Sequence, residues 1–449
     1  MSAPSRSVPG TAAAAAAVVV LALSLVPHGA RADLAGHGGP VRGIAVSPDG
    51  AAVLTASFDY SLMLWTLRTQ TERLRLLGHD AGANAVAFVP EGRRAVSGGD
   101  DGVVGFWDLE QGTLLHRFEG HEGKVAGVAV SPDGRFAASA SWDHTVRLWD
   151  LDRREPAGVL RGHEGNVNAV AFLPDGRHVV AAGYDGTLRL WSMDGAGNGD
   201  EPVRTLTGHG LPVNALAVAG TGLVVSAGTD ETVRLWDVLA GKETRVLYGH
   251  VGPVFALAAA ADGGMIASGG ADGRVRLWRR GDGEWQRFDI RHDGPVWALA
   301  FSPDGGRLVS AGIDDVARVW DTATGKPVGA TAQGGSAALP AGMPDAGGRG
   351  ARLFARCRAC HTLTPDDGRR AGPTLYGLFG RVAGELGDYA YSDALERSGI
   401  VWTEETVDAL FREGPHLVVP GSKMPLQRIP DAGERRALID YLVRATRPD

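Results

Sequence analysis

Two patterns of hydrophobic and polar positions divide the chain. From Gly36 to about Ala332, short apolar and β-branched runs alternate with polar turns, which predicts β-strands. After Arg349, apolar residues fall at helical spacing, and Leu438, Ile439 and Leu442 share one helical face. The pattern therefore predicts a multidomain protein with an all-β part followed by an all-α part.

The all-β part repeats itself. A His preceded by Gly, or by Arg in the last repeat, recurs at steps of 42, 42, 42, 46, 41 and 42 residues. Each repeat ends on a tryptophan: Trp65, Trp107, Trp149, Trp191, Trp236, Trp278 and Trp320. An aspartate stands six residues before each tryptophan: Asp59, Asp101, Asp143, Asp185, Asp230, Asp272 and Asp314. Repeats of ~40 to 45 residues with this beginning and end are typical of four-stranded propeller blades, so residues 33–332 are predicted to form seven blades.

These residues resemble the WD-repeat propellers. The resemblance implies a buried His, Asp, Ser or Thr, and Trp in each blade, and the hydroxyl position is occupied by Thr55, Ser97, Ser139, Ser226, Ser268 and Ser310. Ala181 breaks the pattern in blade four. That blade is expected to be the weakest, because an unpaired partner in a buried network costs ~1–3 kcal/mol. The His and Asp pairs are spread one per blade around a ring, so they cannot converge on one ion or substrate. We therefore interpret these pairs as structural.

Two segments compete to supply the strand that closes the ring. Asp33-Leu34-Ala35 stands before the first Gly-His pair as Thr205-Leu206-Thr207 stands before a later one. Cleavage after Ala32 would leave that strand short, so we predict closure by Lys326 to Ala332, which parallels Lys242 to Leu247.

Residues 1–32 have the features of an export signal. Arg6 is followed by an apolar run from Thr11 to Val26, and Ala30-Arg31-Ala32 has a small-x-small cleavage pattern. The run is shorter than the ~20 residues of a membrane-spanning helix, although an uncleaved anchor is the other interpretation. We expect a periplasmic protein without a stable membrane span after cleavage.

Beyond the repeats, composition predicts a flexible linker and a small helical domain. Residues 333–348 are rich in Gly, Ala, Ser and Pro, and Met343 within them is interpreted as an incidental linker residue. In the domain at 349–449, helices are expected at 350–358, 403–412 and 432–446. Thr403 is a plausible cap for the second, with Thr406 in place of the Glu of a full capping box.

The only two cysteines, Cys357 and Cys360, are followed directly by His361. This is the spacing for covalent haem attachment. A redox dithiol and half of a zinc site are the competing interpretations. A redox dithiol would follow a buried strand, but residues 350–354 have a helical pattern. A zinc site would need a second cysteine pair, which the sequence lacks. One covalently bound haem c is therefore the leading hypothesis.

The C-terminal segment is similar to class I c-type cytochromes, the mitochondrial and soluble bacterial kind. The similarity is carried by these motifs: Gly372-Pro373-Thr374-Leu375, Gly377-Leu378-Phe379-Gly380-Arg381, Tyr389-Ala390-Tyr391-Ser392-Asp393-Ala394, Gly399-Ile400-Val401-Trp402, Pro420-Gly421-Ser422-Lys423-Met424 and Leu438-Ile439-Asp440-Tyr441-Leu442. It implies His361 and Met424 as the iron ligands. It further implies that the Pro373 carbonyl orients His361, and that Arg381, Tyr391 and Trp402 contact a haem propionate.

A haem with both axial positions filled is suited to passing single electrons. We therefore expect an electron carrier, not an enzyme, whose propeller docks redox partners and other proteins. The alternatives are a catalytic propeller that passes electrons to the haem, and a gas sensor in which Met424 dissociates. A net charge of −7 argues against a nucleic-acid partner. From Gly347 onward the sequence has 15 Lys and Arg and 14 Asp and Glu, so this segment is nearly neutral. Strong electrostatic steering of a charged partner to it is therefore not expected.

Overall fold

The computed structural model describes most of the repeats and part of the C-terminal segment. The described residues are 33–193, 201–219, 222–282, 284–292, 294–328, 348–354, 357, 361–365, 373–386, 391, 393–419, 429 and 431–447. Outside them lie the predicted signal peptide at 1–32, the linker at 333–348 apart from Gly348, Cys360 and Met424.

In the residues that the structure describes, the repeats form 28 strands in seven four-stranded antiparallel sheets. The first thirteen strands are β1 (Asp33–Ala35), β2 (Val41–Val46), β3 (Ala52–Ser57), β4 (Ser61–Thr66), β5 (Thr71–Leu77), β6 (Ala83–Phe88), β7 (Arg94–Gly99), β8 (Val104–Asp108), β9 (Thr113–Phe118), β10 (Val125–Val130), β11 (Phe136–Ser141), β12 (Val146–Asp150) and β13 (Glu155–Leu160). The rest are β14 (Val167–Phe172), β15 (His178–Gly183), β16 (Leu188–Ser192), β17 (Arg204–Leu206), β18 (Val213–Ala219), β19 (Leu223–Gly228), β20 (Val233–Asp237), β21 (Lys242–Leu247), β22 (Val254–Ala259), β23 (Met265–Gly270), β24 (Arg274–Arg280), β25 (Trp285–Arg291), β26 (Val296–Phe301), β27 (Arg307–Gly312) and β28 (Val316–Asp321).

The sheets close into a ring. Their innermost strands are β2, β6, β10, β14, β18, β22 and β26, and each packs against the next. The last of them, β26, packs back against β2. The prediction of a seven-bladed all-β propeller is confirmed.

The tryptophan that ends each repeat lies between two neighbouring blades. Trp107 shares a core cluster with Leu54, Leu62 and Leu64 of the preceding blade, and the seven tryptophans are all buried. Each such ring can bury ~150–250 Å². At ~25 cal/mol per Å², that corresponds to about 4–6 kcal/mol of transfer free energy before entropy is considered, so these residues dominate blade-to-blade packing.

The predicted closing strand was wrong. The outer strand of the last sheet is β1, which pairs with β28 through Asp33 opposite Arg318 and Ala35 opposite Val316. Three residues suffice because the side chain between them, Leu34, is fully buried in the seam between the last and first blades. In its described part, residues 326–328, the competing segment pairs with the other end of β28, where the Val328 N–H donates to the Val319 carbonyl at 2.8 Å.

Helices are the regular elements in the described part of the C-terminal segment. They are α1 (Arg349–Phe354), α2 (Asp393–Glu396), α3 (Glu404–Glu413), α4 (Pro415–Val418) and α5 (Ala432–Ala445). An isolated antiparallel bridge joins Val382 and Val401. None of the helices in the described residues is long and apolar enough to cross a membrane.

The first and last helices of this segment cross closely. A Cβ added at Gly350 of α1 would clash with the Ala437 carbonyl and with Tyr441 of α5, so glycine is required there. A single core cluster contains Phe354 and Cys357 together with Leu438 and other residues of α5. Helix packing thus fixes the position of the first cysteine.

The cap of α3 differs from expectation. Thr403 accepts from the Thr406 N–H, and the Thr406 hydroxyl accepts from the Thr403 N–H at 2.7 Å, which completes a reciprocal capping box. A threonine hydroxyl therefore does what the sequence assigned only to Glu or Gln.

Candidate functional site

His361 lies one turn after Cys357. Its backbone N–H donates to the Cys357 carbonyl at 2.8 Å, and its Nδ1 lies 2.8 Å from the Pro373 carbonyl oxygen. A carbonyl only accepts, so Nδ1 carries the proton and Nε2 presents the electron pair that a metal requires. The imidazole is therefore in the tautomer suited to coordinating iron through Nε2.

Two backbone segments hold this histidine. The Leu375 N–H donates to the Thr362 carbonyl at 2.8 Å, which keeps the segment after His361 beside the segment after Pro373. Cys357 is 7% exposed and packs with Phe354 in the helical core. The thiol and the imidazole are thus positioned together, whereas Cys360 and Met424 lie outside the described residues.

Arg381 ties the predicted propionate-binding residues to the histidine segment. Its guanidinium donates to the carbonyls of Thr374, at 2.7 Å, and Tyr376, at 3.0 Å. The Trp402 N–H donates to the Arg381 carbonyl at 2.9 Å, and Tyr391 is close enough to interact electrostatically with the guanidinium. The structure therefore brings Arg381, Tyr391 and Trp402 together.

The electrostatics of Arg381 suit an anionic group. Burial lowers the pKa of its guanidinium, while Tyr391 and Glu385 oppose the shift. Within the described part of the chain, Arg381 forms no ion pair within 4.0 Å. A partly buried cation whose described hydrogen bonds go to carbonyl oxygens is stabilised further by an oxyanion such as a carboxylate. The residues present fit a haem with a buried propionate.

One contact near this site was missed by sequence reasoning. Arg435 of α5 is 7% exposed, donates to Asp408 of α3 at 2.7 Å, and donates to the Ile429 carbonyl at 2.9 Å. The position of Arg435, three and seven residues before Leu438 and Leu442, indicated that it lies on the buried face of the helix, but it did not indicate Asp408 as the partner.

The other polar side chains singled out by sequence lie in the propeller. In blade one, His37 Nδ1 donates to Asp59 at 3.0 Å, and its Nε2 lies 2.7 Å from the Thr55 hydroxyl. The Trp65 N–H donates to the same hydroxyl at 2.9 Å. Burial alone would raise the pKa of Asp59, but the charge of His37 and its hydrogen bond hold that pKa well below its usual range.

These networks are structural. Equivalent hydrogen bonds between His and Asp, between His and Ser, and from the Trp N–H to Ser recur in blades two, three, five and six. Among the described residues, no three His, Cys, Asp or Glu side chains converge as a metal site would require. The networks satisfy buried polar groups one blade at a time.

Blade four lacks its hydroxyl, as the sequence predicted. Ala181 is fully buried, the Trp191 N–H donates instead to the Arg161 carbonyl at 3.3 Å, and His163 Nε2 is buried without a hydrogen-bond partner in the described structure. An orphaned buried nitrogen of this kind costs ~1–3 kcal/mol.

Restoring the hydroxyl is expected to stabilise the propeller. Ala181→Ser should raise the free energy of unfolding by about 1 kcal/mol, because it supplies partners for both His163 and Trp191. Urea unfolding followed by tryptophan fluorescence measures the change. Ala182→Ser is the matched control: Ala182 is equally buried but packs among Leu188 and Val213, so a hydroxyl there should destabilise. Equal losses in both variants would contradict the account of blade four.

Arginines four residues after the network aspartates modify the pattern in the last blades. Arg276 donates to Asp272 at 2.7 Å and its Nη1 lies 2.7 Å from His250 Nδ1. Arg318 donates to Asp314 at 2.6 Å. Burial, followed by the charge of Arg276, lowers the pKa of His250 to about 4. The i to i+4 spacing of Asp and Arg was the sequence signal for these pairs.

The low pKa of His250 predicts a pH dependence of stability. The unfolded histidine binds a proton near pH 6.5 and the folded one only near pH 4, so stability is lost as the pH falls through this window, by about 3 kcal/mol. Arg276→Gln should reduce that loss, since Asp272 and Asp289 then act on His250 without the opposing arginine. Urea unfolding at pH 7 and pH 4.5 measures the loss of the free energy of unfolding between the two pH values. Arg274→Gln is the control, because Arg274 is a half-exposed neighbour. An unchanged pH dependence in Arg276→Gln would refute the cause.

Comparison with known proteins matches both parts of the chain. The model of the WD domain, G-beta repeat, matches residues 30–66, 70–108, 112–150, 154–192, 200–237, 241–279 and 286–321, which is more than half of the chain. Over 100 residues, the chain is 41% identical to a cytochrome c of Gibberella zeae and 39% identical to one of Arabidopsis thaliana. These matches cover 22% of this chain and 93% and 88% of the relatives.

A bacterial relative gives a similar result. The cytochrome c2 of Blastochloris viridis is 40% identical over 103 residues, which is 23% of this chain and 80% of the relative. The chain belongs to the family of proteins built from WD-domain, G-beta repeats, and it joins to those repeats a segment that is similar to cytochromes c.

Proposed function

We propose that this protein is an exported electron carrier. Its C-terminal segment binds one haem c through thioether bonds to Cys357 and Cys360, with His361 and Met424 as the iron ligands. The propeller serves as a docking platform for a redox partner. We place the mature protein in the periplasm, where the signal at residues 1–32 would deliver it.

The orientation of His361 is the observation that carries the proposal. Its Nδ1–H donates to the Pro373 carbonyl, so Nε2 has the electron pair for iron, and Cys357 lies one helical turn away. The similarity to cytochromes c supports the same conclusion over a length equal to that of the C-terminal segment.

The bound haem would supply a one-electron couple at the iron. The chain's own residues fix the proximal imidazole, bury the first cysteine, and place the Arg381 guanidinium beside Trp402 and Tyr391, where it neutralises a propionate. The helical core around Phe354 and Leu438 excludes water from this side of the site.

Docking through the propeller raises the effective concentration of the partner near the haem. This role is proposed because strong steering by charge is not available to a segment with 15 basic and 14 acidic residues. The predicted cleavage after Ala32 is compatible with the fold, since β1 begins at Asp33 and stays whole.

Carbon monoxide tests the proposal. The purified protein, made in a host that attaches haem c, is reduced and exposed to the gas while its absorption spectrum is recorded. A carrier with two protein ligands should show an unchanged spectrum. Binding of the gas by the folded, reduced protein would overturn the carrier and favour a sensor, and turnover of a substrate with an artificial acceptor would favour a catalytic propeller.

A further inference from the structure

Four cationic side chains lie over aromatic rings in the propeller, and two of them differ from the rest. Arg94 and Arg135 are also bound to carboxylates, Glu91 at 2.6 Å and Asp150 at 3.1 Å. In the described structure, the charged groups of Arg42 and Lys124 form no ion pair or side-chain hydrogen bond. These two cations are therefore partly buried and act with Asp100 only at longer range than an ion pair.

Arg42 lies at the central cavity of the ring. Its guanidinium is 5.3 Å from the centre of the Phe58 ring and 4.8 Å from that of Trp297. Arg42 and Trp297 both line the cavity, which has a volume of about 180 Å³. Two aromatic rings thus hold the guanidinium plane in one orientation, so little side-chain entropy remains to be lost on binding a ligand.

Lys124 is held in a similar way. Its ammonium group lies 3.4 Å from the centre of the Trp142 ring, and the Trp142 N–H donates to Asn168 Oδ1 at 3.1 Å. Burial lowers the pKa of Lys124, Asp100 raises it, and Arg42 lowers it further. Asp100 also acts on Arg42, so one carboxylate faces two mutually repelling cations.

The side-chain amides of three neighbouring asparagines already donate hydrogen bonds to backbone carbonyls. The Nδ2 groups of Asn84, Asn168 and Asn214 donate to the Val125, Val213 and Val254 carbonyls of the next blade. They join the blades, whereas the charged groups of Arg42, which lines the cavity, and of Lys124 form no side-chain hydrogen bond in the described structure. Such a site selects an anion.

We propose that Arg42 and Lys124 bind a carboxylate at the mouth of the central cavity, and that the carboxylate is an Asp or Glu side chain of an acidic segment in a protein partner. The forked guanidinium matches a carboxylate in shape and charge. A protein source is favoured because Trp142 is 37% and Tyr184 is 48% exposed and the two rings pack edge to face beside the site. Exposed aromatic residues of this kind are enriched at protein interfaces. The inference rests on the docking role proposed above and names the chemistry of the partner.

The test is a fluorescence anisotropy titration of the full-length protein with a labelled peptide. The peptide carries three glutamates spaced by glycines, and its matched control carries glutamines. We expect the glutamate peptide to bind at least tenfold more tightly than the control at low salt. Arg42→Gln should weaken that binding at least tenfold, Lys124→Gln about threefold, and Arg42→Lys by an intermediate factor.

Arg135→Gln is the matched control variant, because it removes the same charge from an arginine that also lies on an aromatic ring but already has a carboxylate. It should leave the affinity unchanged. Equal affinity for the two peptides, no binding of either, or equal weakening by Arg42→Gln and Arg135→Gln would each overturn the proposal. The haem spectrum of the same samples reports separately on the electron-carrier function, and Lys124→Gln keeps the test decisive if Arg42→Gln does not fold.

Discussion

Replacement of His361 by alanine is expected to give a protein with a folded propeller and no stably ligated haem. The substitution removes the Nε2 that would bind iron and the Nδ1–H that donates to the Pro373 carbonyl at 2.8 Å. Loss of a residue that only orients a ligand typically costs 10–100-fold in metal affinity, so loss of the ligand itself should cost more. The low-spin haem spectrum should therefore be lost even if the thioether bonds keep haem attached, while the near-ultraviolet circular dichroism of the propeller tryptophans stays unchanged.

His178→Ala is the control for this experiment. His178 begins strand β15 of the propeller and pairs with Asp175 of the preceding turn. It should retain a full complement of haem. If His361→Ala and His178→Ala carried equal amounts of haem with the same spectrum, the assignment of His361 as a ligand would be wrong.

Replacement of Met424 by alanine is expected to keep the haem attached but change its chemistry. The thioether bonds do not depend on the methionine, whereas the sixth iron position does. The reduced variant should bind carbon monoxide. Its reduction potential should fall by at least about 0.1 V, because axial ligands command a range of ~0.8 V and a His and Met pair lies toward its upper part. Redox titration and gas binding measure both effects.

Met343→Ala provides the matched comparison, since Met343 belongs to the predicted linker. It should leave the potential and the spectrum unchanged. If the Met424→Ala protein retained the low-spin spectrum and did not bind carbon monoxide, another residue would have to occupy the sixth coordination position of the iron.

The propeller could be predicted from sequence because its signals are local and repeated. A tryptophan ten residues after each Ser or Thr, and an aspartate between them, specify one blade at a time, and even the defect at Ala181 was visible. The hydrogen bond from the Trp191 N–H to the Arg161 carbonyl could not be predicted, because it depends on how the chain relaxes around a missing hydroxyl.

The closing strand shows where such reasoning fails. We judged Asp33–Ala35 by its length, whereas its position is determined by the burial of Leu34 against residues nearly 300 positions away, such as Val309 and Val319. Burial of this kind depends on tertiary packing, which a local sequence pattern does not report.

The candidate site was predicted in part for a similar reason. Cys357, His361 and Pro373 belong to short motifs, and the structure shows the hydrogen bond that joins the last two. The contact of Arg435 with Asp408 joins two helices and has no motif. Arg42 and Lys124 were missed because stacking of a cation on a ring that is distant in sequence leaves no periodic trace.

The intact mass of the acid-denatured protein tests the central claim most directly. A covalent haem survives acid, while a zinc ion is lost and a disulfide changes the mass only by two hydrogens. We predict the mass of residues 33–449 increased by that of one haem. A mass that corresponds to the polypeptide alone would contradict the account.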